Sequence, residues 1–224
     1  MRYCHIVFDL DGTLIDSRAD LAQAVNHVLR TLGLPGLPLD VVTSYIGAGA
    51  RTLVQRSLGP AHEHRLDEGL MRFMEFYGAH LLDHTRLYAG IADVLHALVQ
   101  RGAGLSVLSN KPEAMSRTIL AGLGVLPLFA VVLGGDSCAA RKPDPDGLLQ
   151  VCNRVGTVPT QMLMVGDSVI DWDTARAAGI AFCGVAWGFG LAGLHARRAQ
   201  PIIDEPAQLL TILEGRLTDD SSHA

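Results

Sequence analysis

The stretch His5-Ile-Val-Phe-Asp9-Leu-Asp11-Gly-Thr-Leu-Ile-Asp16 decides how the rest of this sequence is read. A short apolar run, Ile6-Val7-Phe8, stops abruptly at two carboxylates, Asp9 and Asp11, with Gly12 and Thr13 behind them. Such a run predicts a strand buried on both faces. In extended geometry residues i and i+2 face the same way, so Asp9 and Asp11 are expected on one side. Like charges that close repel, and desolvation strengthens the repulsion. Compensation has to come from elsewhere in the chain.

The bulk properties narrow the search. With 224 residues, 49% of them apolar, the chain has room for one large domain or a domain with a smaller insert, and gross disorder is excluded. The formal net charge is −5 and the basic residues are dispersed, which argues against a nucleic-acid binder. No apolar run reaches membrane-spanning length, and Asp9 and Asp11 interrupt any signal-peptide pattern. The expectation is a soluble cytoplasmic protein, monomer or homodimer, without nucleic-acid or membrane partners. The four cysteines (Cys4, Cys138, Cys152 and Cys183) form no C-x-x-C pair and read as free thiols. His62 and His64, flanking Glu63, read as part of a solvated stretch.

Apolar spacing predicts a helix from Arg18 to Leu32, capped by Ser17 and stopped by Gly33 and Pro35. Further helices are expected over about 50–58 and 66–80, so residues 16–84 read as consecutive helices without a strand. The pattern then changes to alternation. Strands are expected near 105–109, 130–134, 162–165, 181–186 and 201–204, with helices at 92–99, 114–123, 147–155 and 174–178. The tail from Thr218 reads as polar and frayed. Strands alternating with helices predict an α/β fold, a doubly wound parallel sheet with both faces covered. The predicted organisation is a core of residues 1–15 and 85–224, interrupted by an all-helical insert, 16–84.

In an open parallel sheet, ligands bind beyond the carboxyl ends of the strands. The predicted strands end in Asp9-Leu-Asp11-Gly-Thr13, in Ser109-Asn110-Lys111 and in Gly166-Asp167-Ser-Val-Ile-Asp171, while a loop after the strand near 132 carries Arg141-Lys142-Pro143. So dense a set of acids demands a cation, and ligands that are all oxygen favour a hard one such as Mg²⁺. Lys142 can neutralise a further charge, and the Ser109 hydroxyl with nearby backbone N–H groups suits an oxyanion. Together these features describe phosphoryl transfer, in which a carboxylate can itself be the nucleophile. Tyr45-Ile-Gly-Ala-Gly-Ala-Arg51 joins two insert helices, and Arg51 is a candidate partner for a substrate anion. Asp173 reads as a helix N-terminal charge. Trp172 and the Arg197-Arg198 pair have no reading at this level.

Taken together, Asp9-Leu-Asp11-Gly-Thr13, Ser109-Asn110, Lys142-Pro143 and Gly166-Asp167-Ser-Val-Ile-Asp171 resemble the four motifs of the haloacid-dehalogenase-like hydrolase superfamily, in order and in strand context. Leu108-Ser-Asn-Lys-Pro112, Gly134-Gly-Asp136, Lys142-Pro-Asp-Pro145 and Trp187-Gly-Phe-Gly190 resemble its phosphoglycolate phosphatase branch. The resemblance implies a Rossmann-like core with a helical cap and a Mg²⁺-dependent phosphatase acting on a small phosphorylated metabolite, 2-phosphoglycolate first. It implies Asp9 as nucleophile and Asp11 as general acid and base. The metal ligands would be Asp9, the Asp11 carbonyl and Asp167, with Asp171 supporting them. Ser109 and Asn110 would bind the phosphoryl group, and Lys142 would balance charge. A phosphoglucomutase-type mutase, a pyrophosphatase and a sugar-phosphate phosphatase share these motifs. A receiver-type signalling module has a similar pocket, but length and motif order disfavour it.

Overall fold

Successive side chains of the first strand enter two different apolar layers, which is why its sequence is apolar throughout. A computed structural model describes residues 3–213. In β1 (His5–Phe8), Ile6 and Phe8 join one core and Val7 the other. The chain continues through β2 (Ile15–Asp16) into α1 (Arg18–Thr31), α2 (Leu39–Thr43), α3 (Ala50–Leu58) and α4 (Leu66–Ala79). It returns through β3 (Arg86–Leu87) to α5 (Ile91–Gln100), β4 (Gly104–Leu108), α6 (Glu113–Gly122) and β5 (Val131–Leu133). Then follow α7 (Asp146–Val155), β6 (Met162–Gly166), α8 (Val169–Ala178), β7 (Ala181–Val185), α9 (Leu191–Ala196), β8 (Ile202–Ile203) and α10 (Gln208–Leu213).

Six strands form one parallel sheet in the order β5-β4-β1-β6-β7-β8. Strands β4, β5 and β6 repeat the alternation: Val107, Val132 and Val165 face one layer, and Leu108, Leu133 and Met164 the other. Helices α5 and α6 cover the first face through Leu95, Leu98, Ile119 and Leu120, and α7 and α8 cover the second through Leu148, Val151 and Ala175. The fold is therefore the expected α/β doubly wound parallel sheet. Strand β1 lies between β4 and β6, from which the chain winds away in opposite directions, so a crevice opens at their carboxyl ends.

Helices α1 to α4 lie between two short strands that pair with each other. Ile15 pairs with Leu87 and Asp16 with Arg86, antiparallel. The sequence offered no signal for this ribbon, because two residues carry no periodicity and their partners lie about seventy positions away. The predicted 174–178 helix begins earlier, at Val169, and α2, α9 and α10 are too short to show a stripe. The reading of the tail from Thr218 lies outside the described residues. Among the described residues, no helix is long and apolar enough to cross a membrane.

One polar pin secures the helical segment at its return. Asp20, fully buried in the first turn of α1, accepts hydrogen bonds from the backbone N–H of His84 (3.0 Å) and Thr85 (2.8 Å) and from the Thr85 hydroxyl (2.7 Å). Burial alone would raise its pKa; the Thr85 and His84 donors outweigh it and lower it. Asp20→Ala leaves these donors without their acceptor and should cost ~3 kcal/mol in urea unfolding at neutral pH. Because the folded-state pKa is depressed, this contribution is complete above the unfolded value of about 4 and fades as pH falls through the folded one. The difference between variant and wild type should narrow in acid. A loss below ~0.5 kcal/mol at neutral pH would remove Asp20 as the pin.

Candidate active site

Past Phe8 the chain makes a tight knot. Asp9 still donates its N–H to Val165 O (2.9 Å), but Leu10 O then accepts from the N–H groups of Thr13, Leu14 and Ile15. Gly12 sits at φ +88°, and a Cβ there would lie 2.4 Å from Asp167 Oδ2. Glycine is thus required for both backbone conformation and contact with the acid. Asp167, at the end of β6, accepts from the Thr13 hydroxyl (3.3 Å) and the Phe189 N–H (2.6 Å). A Cβ on Gly188 would approach the Asp167 Cβ to 2.2 Å, and Trp187 Nε1 donates to Thr13 O (3.0 Å). The Trp187-Gly-Phe-Gly190 segment therefore clamps the ends of β1 and β6 together.

Lys142 is the centre of the acidic cluster. Its ammonium, almost wholly buried, donates to Asp9 Oδ1 (2.7 Å) and Asp171 Oδ1 (2.6 Å). Asp171 is held from its other oxygen by Ser168, whose N–H (3.1 Å) and hydroxyl (2.6 Å) both donate to Oδ2 in a capping box at the start of α8. Asp171 is thus fully engaged with protein donors, whereas Asp9 Oδ2 has no hydrogen-bond partner among the described residues.

The electrostatics ask for more positive charge. Asp9, Asp167 and Asp171 each bring an oxygen within 4.8 Å of the others, against one buried ammonium. Burial holds the Asp9 carboxyl well above the usual aspartate range, with Asp171 and Asp167 adding to the effect and Lys142 opposing it. Burial, then Asp171, pushes Asp167 up to about 7. A free oxygen on Asp9, a second buried carboxylate and a donor set made only of oxygen fit a hard divalent cation. Asp9 and Asp167 are the side chains that would hold it.

Asp11 does not face that cluster. Its Oδ1 accepts from the Ser17 hydroxyl (2.5 Å) and from Lys111 Nζ (3.1 Å), and Lys111 also donates to the hydroxyl of Tyr77 in α4. The two opening acids therefore each have their own lysine, Lys142 for Asp9 and Lys111 for Asp11. Burial works against the Lys111 ammonium, but the Asp11 carboxylate and Tyr77 oxygen outweigh it and raise its pKa. Ser17 precedes α1 but makes no side-chain cap; its hydroxyl serves Asp11 instead.

Ser109 lies buried at the end of β4, its Oγ accepting from the Lys111 N–H (3.2 Å). Asn110 Nδ2 donates to Lys142 O and to Gly47 O of the helical segment, both at 3.0 Å. Asp9, Asp11, Ser109, Asn110, Lys111 and Tyr77 line a partly open cavity of about 40 Å³, with Leu21, Ile46, Leu53, Phe73 and Met115 on its other sides. That is room for a few atoms unless the helices move.

Arg51 is not among the residues lining this cavity. It is half exposed on α3 and pairs with Asp67 (3.0 Å), so the structure does not bring it together with the other candidate site residues. Its side chain leaves the loop on the solvent side, which the glycine pattern alone could not reveal. Lys111, Tyr77 and Ser17 were missed as site residues. Lys111 stood in the Ser109-Asn110-Lys111 run, and its place at a strand end was the available signal. Asp173 pairs with Arg197 (3.7 Å), and Trp172 packs edge-on against Phe182 with Arg176 over its face. These contacts give Trp172 and Arg197 structural places on the outer side of α8.

Residues 6–185 match the family model of haloacid dehalogenase-like hydrolases. The chain is 38% identical over 218 residues to a phosphoglycolate phosphatase of Haemophilus influenzae (strain 86-028NP), covering 93% of this chain and 97% of that one. It is 41% identical over 190 residues to the phosphoglycolate phosphatase of Nitrosospira multiformis, covering 82% and 83% of the two chains. The crystal structure of a protein described as a predicted phosphoglycolate phosphatase from Haemophilus somnus 129pt superposes with a TM-score of 0.90 at 34% identity, over 95% of this chain and 99% of that one. Motif, sheet order and sequence agree: this chain belongs to the haloacid dehalogenase-like hydrolase family, in its phosphoglycolate phosphatase-like branch.

Proposed function

We propose that this protein is a Mg²⁺-dependent phosphatase of small phosphomonoesters, with 2-phosphoglycolate as its foremost substrate, working through a phosphorylated Asp9. The observation that carries the reading is the Asp9 carboxylate, held at the cavity floor by Lys142 through Oδ1 with Oδ2 left unbonded. In this reading residues 16–84 are a cap over the core of residues 1–15 and 85–224. The names of the curated relatives support the substrate.

In the first half-reaction an Asp9 oxygen attacks phosphorus and the bond to the leaving alkoxide breaks. Asp11, lodged between Ser17 and Lys111 and entering this step in its protonated form, gives that alkoxide its proton. In the second, Asp11 takes a proton from a water whose oxygen attacks phosphorus, so the bond to Asp9 breaks and phosphate leaves. Ser109 donates its hydroxyl to a phosphoryl oxygen. Lys142 offsets charge on Asp9 and the phosphoryl group, and Asp171 holds Lys142 in place. A bound divalent cation would supply charge neutralisation at the phosphoryl oxygens, held by Asp9, the Asp11 carbonyl and Asp167. Two distinct acids with two distinct lysines suit a mechanism needing one nucleophile and one proton carrier.

A phosphate-release screen over small phosphorylated metabolites, with and without Mg²⁺, tests the function; 2-phosphoglycolate should lead, and only with the metal. Asp9→Asn should lower kcat by about 10³-fold or more with an unchanged circular dichroism spectrum. Turnover near the wild-type rate would remove Asp9 as nucleophile. Metal-free protein should also lose stability with rising pH. The raised Asp9 and Asp167 values mean that the unfolded chain ionises from about pH 4 while the folded cluster resists, so a penalty accumulates up to the folded values. Mg²⁺ should therefore raise Tm more at about pH 8 than at about pH 5.5, and Asp167→Asn should abolish the difference. An equal rise at both pH values would place metal binding elsewhere.

A further inference from the structure

Lys111 and Tyr77 are the cavity residues that the phosphoryl chemistry leaves incompletely used. An ammonium has three N–H donors. Lys111 gives one to Asp11 Oδ1 and one to the Tyr77 hydroxyl and lies 4.5 Å from the centre of the Tyr77 ring, and no oxygen or nitrogen acceptor among the described residues takes the third. Tyr77 accepts from Lys111, and its own hydroxyl proton has no acceptor among the described residues either. Both side chains are more than nine-tenths buried, and both line the cavity. Both groups are partnered, but each keeps one buried N–H or O–H in reserve, and spare donors lining a cavity suit a ligand's acceptors.

The surroundings define what that ligand carries. The wall beside the pair is apolar, formed by Leu21, Ile46, Leu53, Phe73 and Met115. Arg51 is turned away toward Asp67, so Lys111 is the cation on this side of the cavity. An N–H and an O–H from adjacent groups match the two oxygens of a planar carboxylate. Distance sets the rest. Lys111 Nζ lies 3.1 Å from Asp11 Oδ1, on the carboxyl from which the leaving alkoxide would be protonated. A carboxylate on Lys111 and an ester oxygen at Asp11 must therefore be close neighbours in one small molecule.

We propose that Lys111 and Tyr77 form a leaving-group subsite that receives a carboxylate, so that the enzyme selects phosphate esters of small 2-hydroxy acids. This rests on the phosphatase reading above and assigns its substrate specificity to two residues.

The test compares 2-phosphoglycolate with ethyl phosphate, which has the same carbon count and no carboxylate, using the full-length Mg²⁺-loaded enzyme. Lys111→Met should lower kcat/KM for 2-phosphoglycolate by about 30–100-fold, mainly through KM, for the loss of charge-assisted hydrogen bonds. Ethyl phosphate should lose only a few-fold, through the contact with Asp11, so the preference ratio falls at least ~10-fold. Tyr77→Phe should shift the ratio in the same direction by about 5–10-fold, and it carries the test alone if Lys111→Met does not fold. Equal losses on both esters would reduce the pair to positioning Asp11 and overturn the subsite, as would an undiminished preference. Either result leaves the phosphatase reading standing. Hydrolysis of neither ester by the wild type would overturn both.

Discussion

A single buried ammonium permits the rest of the site. Without Lys142, Asp9 and Asp171 would be two carboxylates facing each other out of reach of water, and one would have to be protonated. With it, Asp9 has one oxygen committed and one open, and burial still leaves the cluster short of positive charge. The lysine is positioned by elements that are far apart in sequence. Asp171 belongs to the first turn of α8 and is fixed by Ser168, while Asn110, after β4, grips the Lys142 carbonyl. The charge balance of the opening motif therefore depends on strand ends brought together only by the sheet order.

The second lysine separates the two opening acids into different chemistries. Asp9 lies among Lys142, Asp167 and Asp171, a cluster whose raised pKa values express a shortage of positive charge. Asp11 lies between Ser17 and Lys111, on the side facing α4. Because Tyr77 of α4 grips Lys111 and the Gly47 carbonyl accepts from Asn110, the helical segment touches both halves of the site. The antiparallel β2–β3 ribbon and the Asp20 pin fasten that segment's two chain crossings to each other. Any movement of the helices must break or carry these contacts, which links access to the cavity with the state of the site.

Much of this was legible beforehand, for identifiable reasons. The strands announced themselves because burial on both faces demands continuous apolar runs, as in Met162-Leu-Met-Val165. Asp9, Asp11, Ser109, Lys142 and Asp167 were singled out because each follows such a run, where a parallel sheet leaves its crevice. The direction of Arg51 was not legible because glycines beside an arginine say nothing about which way the side chain leaves the helix. Ser17 was taken for a cap because it precedes a helix, although a hydroxyl goes to its strongest available acceptor, here a carboxylate. The ribbon of Ile15–Asp16 with Arg86–Leu87 was invisible because it is held by pairing and not by pattern.

The sequence by itself determined the layered α/β architecture and the set of acids, hydroxyl and lysine at the strand ends, since both follow from local periodicity and from chemistry placed after each apolar run. The tertiary structure alone decided which lysine serves which acid, that Arg51 faces solvent and that Tyr77 enters the cavity beside Lys111. Those outcomes depend on the directions of side chains from elements dozens of residues apart, and directions of that kind exist only once the chain has packed.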